Sequence, residues 1–136
     1  MIYLTRRERF NSAHRLFNPD FSDEKNYEIY GKCANPNWHG HNYELFITVK
    51  GEVNTQTGVV INLKDLSRIV KNRIIEKLDH KNLNVEVDFL LNKIISTENI
   101  VVAIWNELEN ELSSTNARLH KIKLVETENN FVEYYG

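Results

Sequence analysis

The segment YELFITVKGEV, residues 43 to 53, limits the possible folds more than any other part of the sequence. Its apolar residues recur at every second position, at Tyr43, Leu45, Ile47 and Val49. A period of two predicts a β-strand with one buried face. A second strand is predicted over residues 2–14, which are rich in aromatic and branched side chains. Strands of this kind need other elements to cover their apolar face.

Two amphipathic helices are predicted to provide that cover. Residues 62–78 repeat apolar side chains at helical spacing behind a capping Asn62, and these are Leu63, Leu66, Ile69, Val70, Ile74 and Leu78. Residues 96–112 begin with a Ser-Thr cap and have Glu98 in the first turn. Their apolar face comprises Ile100, Val101, Ile104, Trp105 and Leu108.

The remaining segments complete the predicted order of elements. Residues 117–127 and 129–136 are predicted as two strands, residues 15–42 as a long polar connection, and residues 79–95 as irregular. The order ββααββ predicts an α+β fold, a four-stranded antiparallel sheet with both helices on one face. We expect residues 1–136 to form a single domain. The other sheet face and the sheet edges have no predicted cover, so we expect association through the sheet.

Composition limits the partners and the compartment. A net charge of −2 gives no basic surface for nucleic acid or for a membrane. One cysteine cannot form an internal disulfide, and the N-terminus MIYLTRRERF lacks the features of a signal peptide. No apolar run approaches the roughly 20 residues that a membrane span requires. We therefore expect a soluble, cytoplasmic protein.

Three of the five histidines are placed to meet at one point. His39 and His41 are two positions apart at the start of a predicted strand, so both imidazoles point the same way. His14 ends the preceding strand and is able to complete the set. Three neutral imidazoles without a fourth protein ligand are typical of a catalytic zinc with one open position. The alternative is that they are ordinary polar residues at a loop edge.

Cys33 precedes this histidine pair and allows three interpretations. It is a fourth zinc ligand in a closed structural site, a small buried apolar residue, or a catalytic thiol. Its neighbours Gly31, Lys32, Asn35 and Pro36 are typical of a loop and argue against a packed core. Spacing alone does not separate a ligand from a catalytic thiol.

Other polar residues carry weaker signals. Asp79 directly precedes His80 after the first long helix, where a carboxylate can orient an imidazole, although a solvated helix end has the same pattern. Glu126 lies on a predicted strand, where a buried carboxylate can accept paired hydrogen bonds from a heterocycle. On sequence alone, a solvent-facing Glu126 is the simpler interpretation. His120 has no assigned role.

Six motifs together resemble a known family. They are HRL after the first strand, GKCANPNWHGHNY, TGVVINLKDL, LDHKNLN, STENI followed by IW, and ETENN. In this order they resemble the 6-pyruvoyl-tetrahydropterin synthases from end to end, and the closely similar 6-carboxy-tetrahydropterin synthases of queuosine biosynthesis. The resemblance implies that His14, His39 and His41 bind Zn²⁺. It also implies that Cys33 is a proton-abstracting base and not a metal ligand.

The resemblance implies further site residues. Asp79 and His80 match residues that assist the cysteine, commonly from a neighbouring subunit. Glu126 matches the glutamate that anchors the amino-pyrimidine edge of the pterin, and Ser96 and Thr97 match residues that line the same pocket. The implied fold is the tunnelling fold, in which the four-stranded sheets of three chains close into a barrel and two trimers stack as a homo-hexamer.

The implied reaction is an internal redox rearrangement of 7,8-dihydroneopterin triphosphate with loss of triphosphate, a carbon–oxygen lyase reaction. Five residues separate Cys33 from His39, and Asn62 stands where carboxy-forming enzymes usually have aspartate. Both features resemble the pyruvoyl-forming type more than the carboxy-forming type, which usually has three intervening residues. Trp38 departs from the animal-type pattern, which usually has glycine at this position.

Overall fold

The computed structural model describes all residues, 1–136. The strands are β1 Ile2–His14, β2 His39–Gly51, β3 Lys81–Asn82, β4 Arg118–Thr127 and β5 Asn130–Tyr134. The helices are α1 Asp23–Tyr30, α2 over residues 63–78, and α3 Thr97–Ser113. Short 3-10 segments lie at Gly31–Ala34 and Asp88–Leu90. The α+β class predicted from the order of periodic segments is confirmed.

The strands form one five-stranded sheet in the order β3-β1-β2-β4-β5. The four predicted strands pair antiparallel, but β3 pairs parallel with β1 through Ser12 and Ala13. The prediction of a four-stranded, purely antiparallel sheet is therefore wrong, and the sheet is mixed. The extra strand has only two residues, Lys81 and Asn82, which is too short to give a periodic pattern.

The register of β1 and β2 places the predicted histidines at one end of the sheet. His14 is opposite His39, and His41 is opposite Ser12. Because residues two apart on a strand share a face, His39 and His41 face the same side as His14 and Ser12. The long antiparallel pairing of β1 with β2 therefore brings together histidines that are far apart in sequence.

The hydrophobic core lies between the sheet and the two long helices. The alternating residues of β2 predicted to be buried, Tyr43, Leu45, Ile47 and Val49, are each 0% exposed. They belong to one buried cluster that also contains Leu66, Val70, Ile74 and Leu78 of α2 and Ile100, Ile104 and Leu108 of α3. The prediction that both of these helices cover the same face of the sheet is thus confirmed.

The predicted helices appear within one residue of the expected limits. Asn62 caps α2 by accepting a hydrogen bond from the backbone N–H of Lys64, and Ser96 caps α3 by accepting from Asn99. A π-helical turn, Lys71–Ile75, interrupts α2. Leu63 was predicted on the buried face but is 51% exposed, because it begins the helix outside the core. None of the helices combines the length and the apolar character that a membrane span requires.

The predicted connection, residues 15–42, contains a third helix that the sequence pattern did not indicate. Ser22 caps α1 by accepting a hydrogen bond from the backbone N–H of Lys25. The helix buries only Asn26, whose side chain bonds the backbone of Asn18, Phe21 and Ser22. Because α1 has no apolar stripe, its helical period cannot be seen in the hydrophobic pattern.

Candidate metal centre

The side chains of His14, His39 and His41 meet in one group. Each offers one ring nitrogen, and these nitrogens all lie within 4.8 Å of one another. The nitrogens His14 Nε2, His39 Nδ1 and His41 Nε2 are buried and have no hydrogen-bond partner. Three buried, unpartnered nitrogens facing one point would be unfavourable unless they shared a ligand, and a metal ion is the ligand that fits imidazole donors. The three histidines predicted from the sequence are therefore able to hold a metal ion.

Ile95 fixes the orientation of His14. Nδ1 of His14 lies 2.8 Å from the carbonyl oxygen of Ile95 and is placed to donate to it, which leaves Nε2 with a free lone pair. Metal-binding histidines commonly donate their second ring nitrogen to such an acceptor, which sets the tautomer. Ile95 immediately precedes the Ser96 cap of α3, so the start of that helix positions the metal site. The sequence pattern did not indicate this contact, because every residue has a backbone carbonyl and the residue type does not show which one accepts a hydrogen bond.

The electrostatics favour the neutral form of His14 and of His39, as metal binding requires. Burial lowers the pKa of His14 from 6.5 to about 4. His39 and His41 lower this pKa as well, whereas the Ile95 hydrogen bond and Glu126 act in the opposite direction. Burial and, after it, the neighbouring His41 also lower the pKa of His39. At neutral pH, His14 is thus held in the form that donates a lone pair.

Glu126 lies beside this group. Its carboxylate oxygens are 4.0 Å from Nε2 of His14 and 3.8 Å from Nε2 of His41. The hydroxyl of Thr97 donates a hydrogen bond to the same carboxylate. Ser96, Thr97 and Glu126 line one cavity of about 410 Å³, which we call the Glu126 cavity. The structure thus brings together the three residues assigned to a common pocket by resemblance.

Cys33 lies in the 3-10 segment Gly31–Ala34 and is exposed. Its backbone carbonyl accepts a hydrogen bond of 2.8 Å from the N–H of Leu16, which ties this turn to the chain just after His14. The sulfur does not belong to the group of converging ligand atoms, which contains only the three histidines. An exposed thiol outside that group fits a reactive residue better than a fourth ligand.

Asp79 and His80 form a pair at the edge of the sheet. Oδ2 of Asp79 lies 2.9 Å from Nδ1 of His80, and Oδ1 accepts a hydrogen bond of 2.8 Å from the N–H of Asn11. That backbone hydrogen bond is the main reason why the pKa of Asp79 is lowered. The His80 side chain is 82% exposed. Within one chain, neither residue hydrogen-bonds to Cys33 or to the three histidines, so the structure does not bring this pair to the thiol.

Tyr43 is a residue whose place at the site was missed by sequence reasoning. It was predicted as a core residue, and its ring indeed stacks on Phe10 with centroids 4.8 Å apart. The ring also lies edge-on to His41, with centroids 5.5 Å apart, and its buried hydroxyl has no hydrogen-bond partner. Burial raises the pKa of this hydroxyl, so it stays protonated. Its position two residues after His41 was the sequence feature that indicates a place beside the histidines.

The fold and the site define an α+β protein with three histidines able to hold a metal ion beside a carboxylate-lined cavity. The family model of 6-pyruvoyl tetrahydropterin synthase matches residues 3–136. The chain therefore belongs to this family, and the resemblance inferred from the motifs is confirmed.

Named relatives agree with this membership. The chain is 44% identical to human 6-pyruvoyl tetrahydrobiopterin synthase over 133 residues, which cover 98% of this chain and 90% of the human protein. It is 27% identical to 6-carboxy-5,6,7,8-tetrahydropterin synthase of Haemophilus influenzae over 154 aligned positions, covering 98% and 99% of the two chains. The structure of Caenorhabditis elegans 6-pyruvoyl tetrahydropterin synthase superposes with a TM-score of 0.91 at 33% identity, covering 99% of this chain and 95% of that chain.

Proposed function

We propose that this chain is a zinc-dependent 6-pyruvoyl-tetrahydropterin synthase that acts on 7,8-dihydroneopterin triphosphate and eliminates triphosphate. The observation that carries the proposal is the meeting of three buried, unpartnered histidine nitrogens beside a carboxylate-lined cavity. Family membership supplies the substrate class. A polar cavity next to a site for a Lewis acid is the arrangement that proton abstraction from a hydroxylated side chain requires.

In this mechanism, His14, His39 and His41 would hold a zinc ion. The bound ion would supply Lewis-acid chemistry, which would make a carbon-bound proton next to the substrate's hydroxyl groups more acidic. The thiolate of Cys33 takes that proton. Protonation of the ring follows. Loss of a second proton, from the carbon next to the phosphate-bearing carbon, then lets triphosphate depart with the electron pair of its carbon–oxygen bond. No external reductant is needed, because the ring gains the electrons that the side chain loses.

Other residues bind the pterin and assist the thiol. The carboxylate of Glu126 accepts hydrogen bonds from the amino-pyrimidine edge, in a cavity shared with Ser96 and Thr97. Asp79 and His80 assist proton abstraction by Cys33 of a neighbouring subunit. Their separation from Cys33 within one chain, and the exposure of His80, support a role between chains.

The proposed function includes the domain organisation, the compartment and the oligomeric state. We infer that residues 1–136 form a single pterin synthase domain and that the chain works in the cytoplasm as a homo-hexamer, a dimer of trimers. The alternative product is 6-carboxy-5,6,7,8-tetrahydropterin, for queuosine synthesis. The higher identity to a pyruvoyl-forming relative favours the pyruvoyl product. A second alternative is a structural zinc module without catalysis, in which Cys33 is a fourth ligand.

The Cys33→Ala variant separates catalysis from a structural role. We expect it to keep its zinc content and melting temperature and to lose turnover by at least about a thousandfold, because the base is absent. Zinc content measured by elemental analysis, together with activity, checks this result. The matched control is His39→Ala, which should lose zinc as well as activity. If Cys33→Ala loses zinc and stability together, the structural alternative holds instead.

Mass analysis of the products identifies the reaction. Wild-type protein incubated with 7,8-dihydroneopterin triphosphate should release triphosphate and 6-pyruvoyl-tetrahydropterin. A 6-carboxy-5,6,7,8-tetrahydropterin product would show that the protein is the alternative, carboxy-forming enzyme. If neither product forms in the zinc-loaded protein, the proposed function is wrong.

A further inference from the structure

A second cavity, of about 730 Å³, is lined by residues that neighbour the proposed site residues in the sequence. Its lining includes Arg15, Phe17, Asp23, Lys32 and Asn35, and we call it the Arg15 cleft. Arg15 directly follows His14, and Lys32 directly precedes Cys33. The N–H of Leu16 donates to the carbonyl of Cys33, which holds the two walls together. The lining of the cleft therefore contains the sequence neighbours of a proposed metal ligand and of the proposed base.

The side chain of Arg15 is positioned by aromatic rings. Its guanidinium carbon lies 4.1 Å from the ring centre of Phe17 and 5.8 Å from that of Trp38. Asn84 holds the Arg15 backbone, accepting from its N–H at 2.9 Å and donating to its carbonyl at 3.0 Å. Nε of Arg15 is nevertheless buried without a hydrogen-bond partner. A buried donor without an acceptor is unfavourable, so an oriented cation of this kind is available to an acceptor from a ligand.

Trp38 contributes to this arrangement at a conformational cost. Its φ of 67° lies in the left-handed region, which a bulky residue rarely adopts. Its N–H donates to the carbonyl of Asn35 at 3.1 Å, which closes the turn before His39. The ring thus helps to hold the Arg15 guanidinium in place.

The Arg15 cleft has an excess of positive charge. Arg15 and Lys32 form no ion pair with any acidic group of the chain. Asp23, in the first turn of α1, is the one acidic residue of the lining. Two cations without partners in one concave site attract a ligand with several negative charges. The volume is within the range of about 300–1,000 Å³ that is typical of small-molecule sites.

We propose that the Arg15 cleft binds the phosphate chain of the substrate, with Arg15 and Lys32 as its ligands; this inference rests on the proposed function. A guanidinium presents a planar pair of donors that matches two phosphate oxygens, and a lysine ammonium adds a mobile point charge. Negative charge grows on the leaving triphosphate as its carbon–oxygen bond breaks. Cations already in place lower the free energy of that transition state.

Binding of inorganic triphosphate tests the site without turnover. Zinc-loaded wild-type protein and its Arg15→Met and Lys32→Met variants are titrated by calorimetry. We expect each variant to bind at least about tenfold more weakly, since each loses one charge-assisted contact. The matched control is Lys25→Met, which removes a lysine held 4.3 Å from the Phe21 ring on α1. It should bind like the wild type. Lys32 is exposed, so its variant tests the site even if Arg15→Met does not fold.

Two results would overturn the inference. One is an unchanged affinity for triphosphate in a folded Arg15→Met or Lys32→Met variant. The other is a loss of affinity in Lys25→Met as large as the loss in those two variants. Steady-state kinetics then separate this inference from the proposed function. If the wild type turns over the substrate and Arg15→Met has the same KM and kcat, the cleft assignment alone is wrong. If the wild type shows no turnover while triphosphate binding still depends on Arg15, the cleft assignment stands and the proposed function is wrong.

Discussion

Glu126 is the residue whose role the geometry limits most sharply. Its carboxylate lies within 4.0 Å of two proposed metal-binding nitrogens and also accepts a hydrogen bond from Thr97. A carboxylate at this position has two possible uses, as a fourth metal ligand or as an acceptor for the pterin edge. Thr97 occupies part of its acceptor capacity and fixes its orientation. The proposed function requires the second use.

The Glu126→Gln variant distinguishes these uses. As a pterin acceptor, Glu126 provides a charge-assisted pair of hydrogen bonds, so we expect kcat/KM to fall about a hundredfold, or roughly 3 kcal/mol, with zinc content unchanged. Steady-state kinetics and elemental analysis measure the two quantities. Glu128→Gln is the matched control, because Glu128 is exposed and two residues away. A loss of zinc in Glu126→Gln alone would make Glu126 a metal ligand and remove it from pterin binding.

Single residues were predictable where side-chain type carries the chemistry. The spacing of His39 and His41, together with the end of β1 at His14, was sufficient to predict the histidine group. The roles of Glu126 and Thr97 were assigned only by family resemblance, because a carboxylate on a half-buried strand also fits a solvent-facing position. Ile95 was not predictable from the sequence, since its contribution is a backbone carbonyl. The role of Arg15 was not predictable from the sequence, because only the tertiary structure shows that its Nε is buried and unpartnered.

At the level of elements, Asn62 acts as a helix cap and makes no hydrogen bond to the candidate site. Its side chain accepts from the N–H of Lys64 at 2.9 Å, and its carbonyl accepts from the N–H of Leu66 at 3.0 Å. Asparagine and aspartate are about equally good caps. The Asn62 that resembles the pyruvoyl-forming type therefore has a structural explanation in α2, independent of product chemistry.

The Asn62→Ala variant should lower stability through this cap. We expect a loss of roughly 1 kcal/mol, or a fall in melting temperature of about 4 °C. Asn62→Asp is the control and should melt with the wild type, because aspartate caps equally well. Thermal unfolding followed by circular dichroism measures both variants. An unchanged melting temperature in Asn62→Ala would mean that the cap contributes nothing to the folded state.

Elements with strong periodicity were predicted, and elements without it were not. Strand β2 and helices α2 and α3 each bury a regular set of apolar residues, so the period of the sequence matches the period of the element. Helix α1 buries only Asn26, and β3 has two residues. Their formation depends on polar contacts, such as the N–H of His80 donating to the carbonyl of Asn11. Such contacts depend on the tertiary structure and leave no apolar period.

For the whole molecule, the edges of the sheet bear on how copies associate. β2 pairs with β1 along Ile2–His14, whereas β3 covers the other edge of β1 only at Ser12 and Ala13. The backbone N–H and carbonyl of Asn11 point toward this second edge, to Asp79 and His80. Because backbone direction alternates along a strand, Tyr3, Thr5, Arg7 and Arg9 present their backbone groups to the same edge. These groups have no backbone partner along that edge, so it is open to pairing with another chain.

The proposed hexamer predicts that this edge pairs with another copy. Light scattering should give a mass of about 96 kDa, that is, six chains of 16.0 kDa. Arg7→Pro removes one edge donor but leaves the pairing of β1 with β2 intact, so we expect it to shift the mass toward smaller species at micromolar concentration. Arg7→Ala is the control, because it loses the same side-chain contacts, the ion pair of 2.7 Å with Glu44 and the contact with the Phe46 ring, but keeps the backbone N–H. A wild-type mass of one chain would contradict the hexamer. A wild-type mass for folded Arg7→Pro would show that the assembly does not depend on this edge.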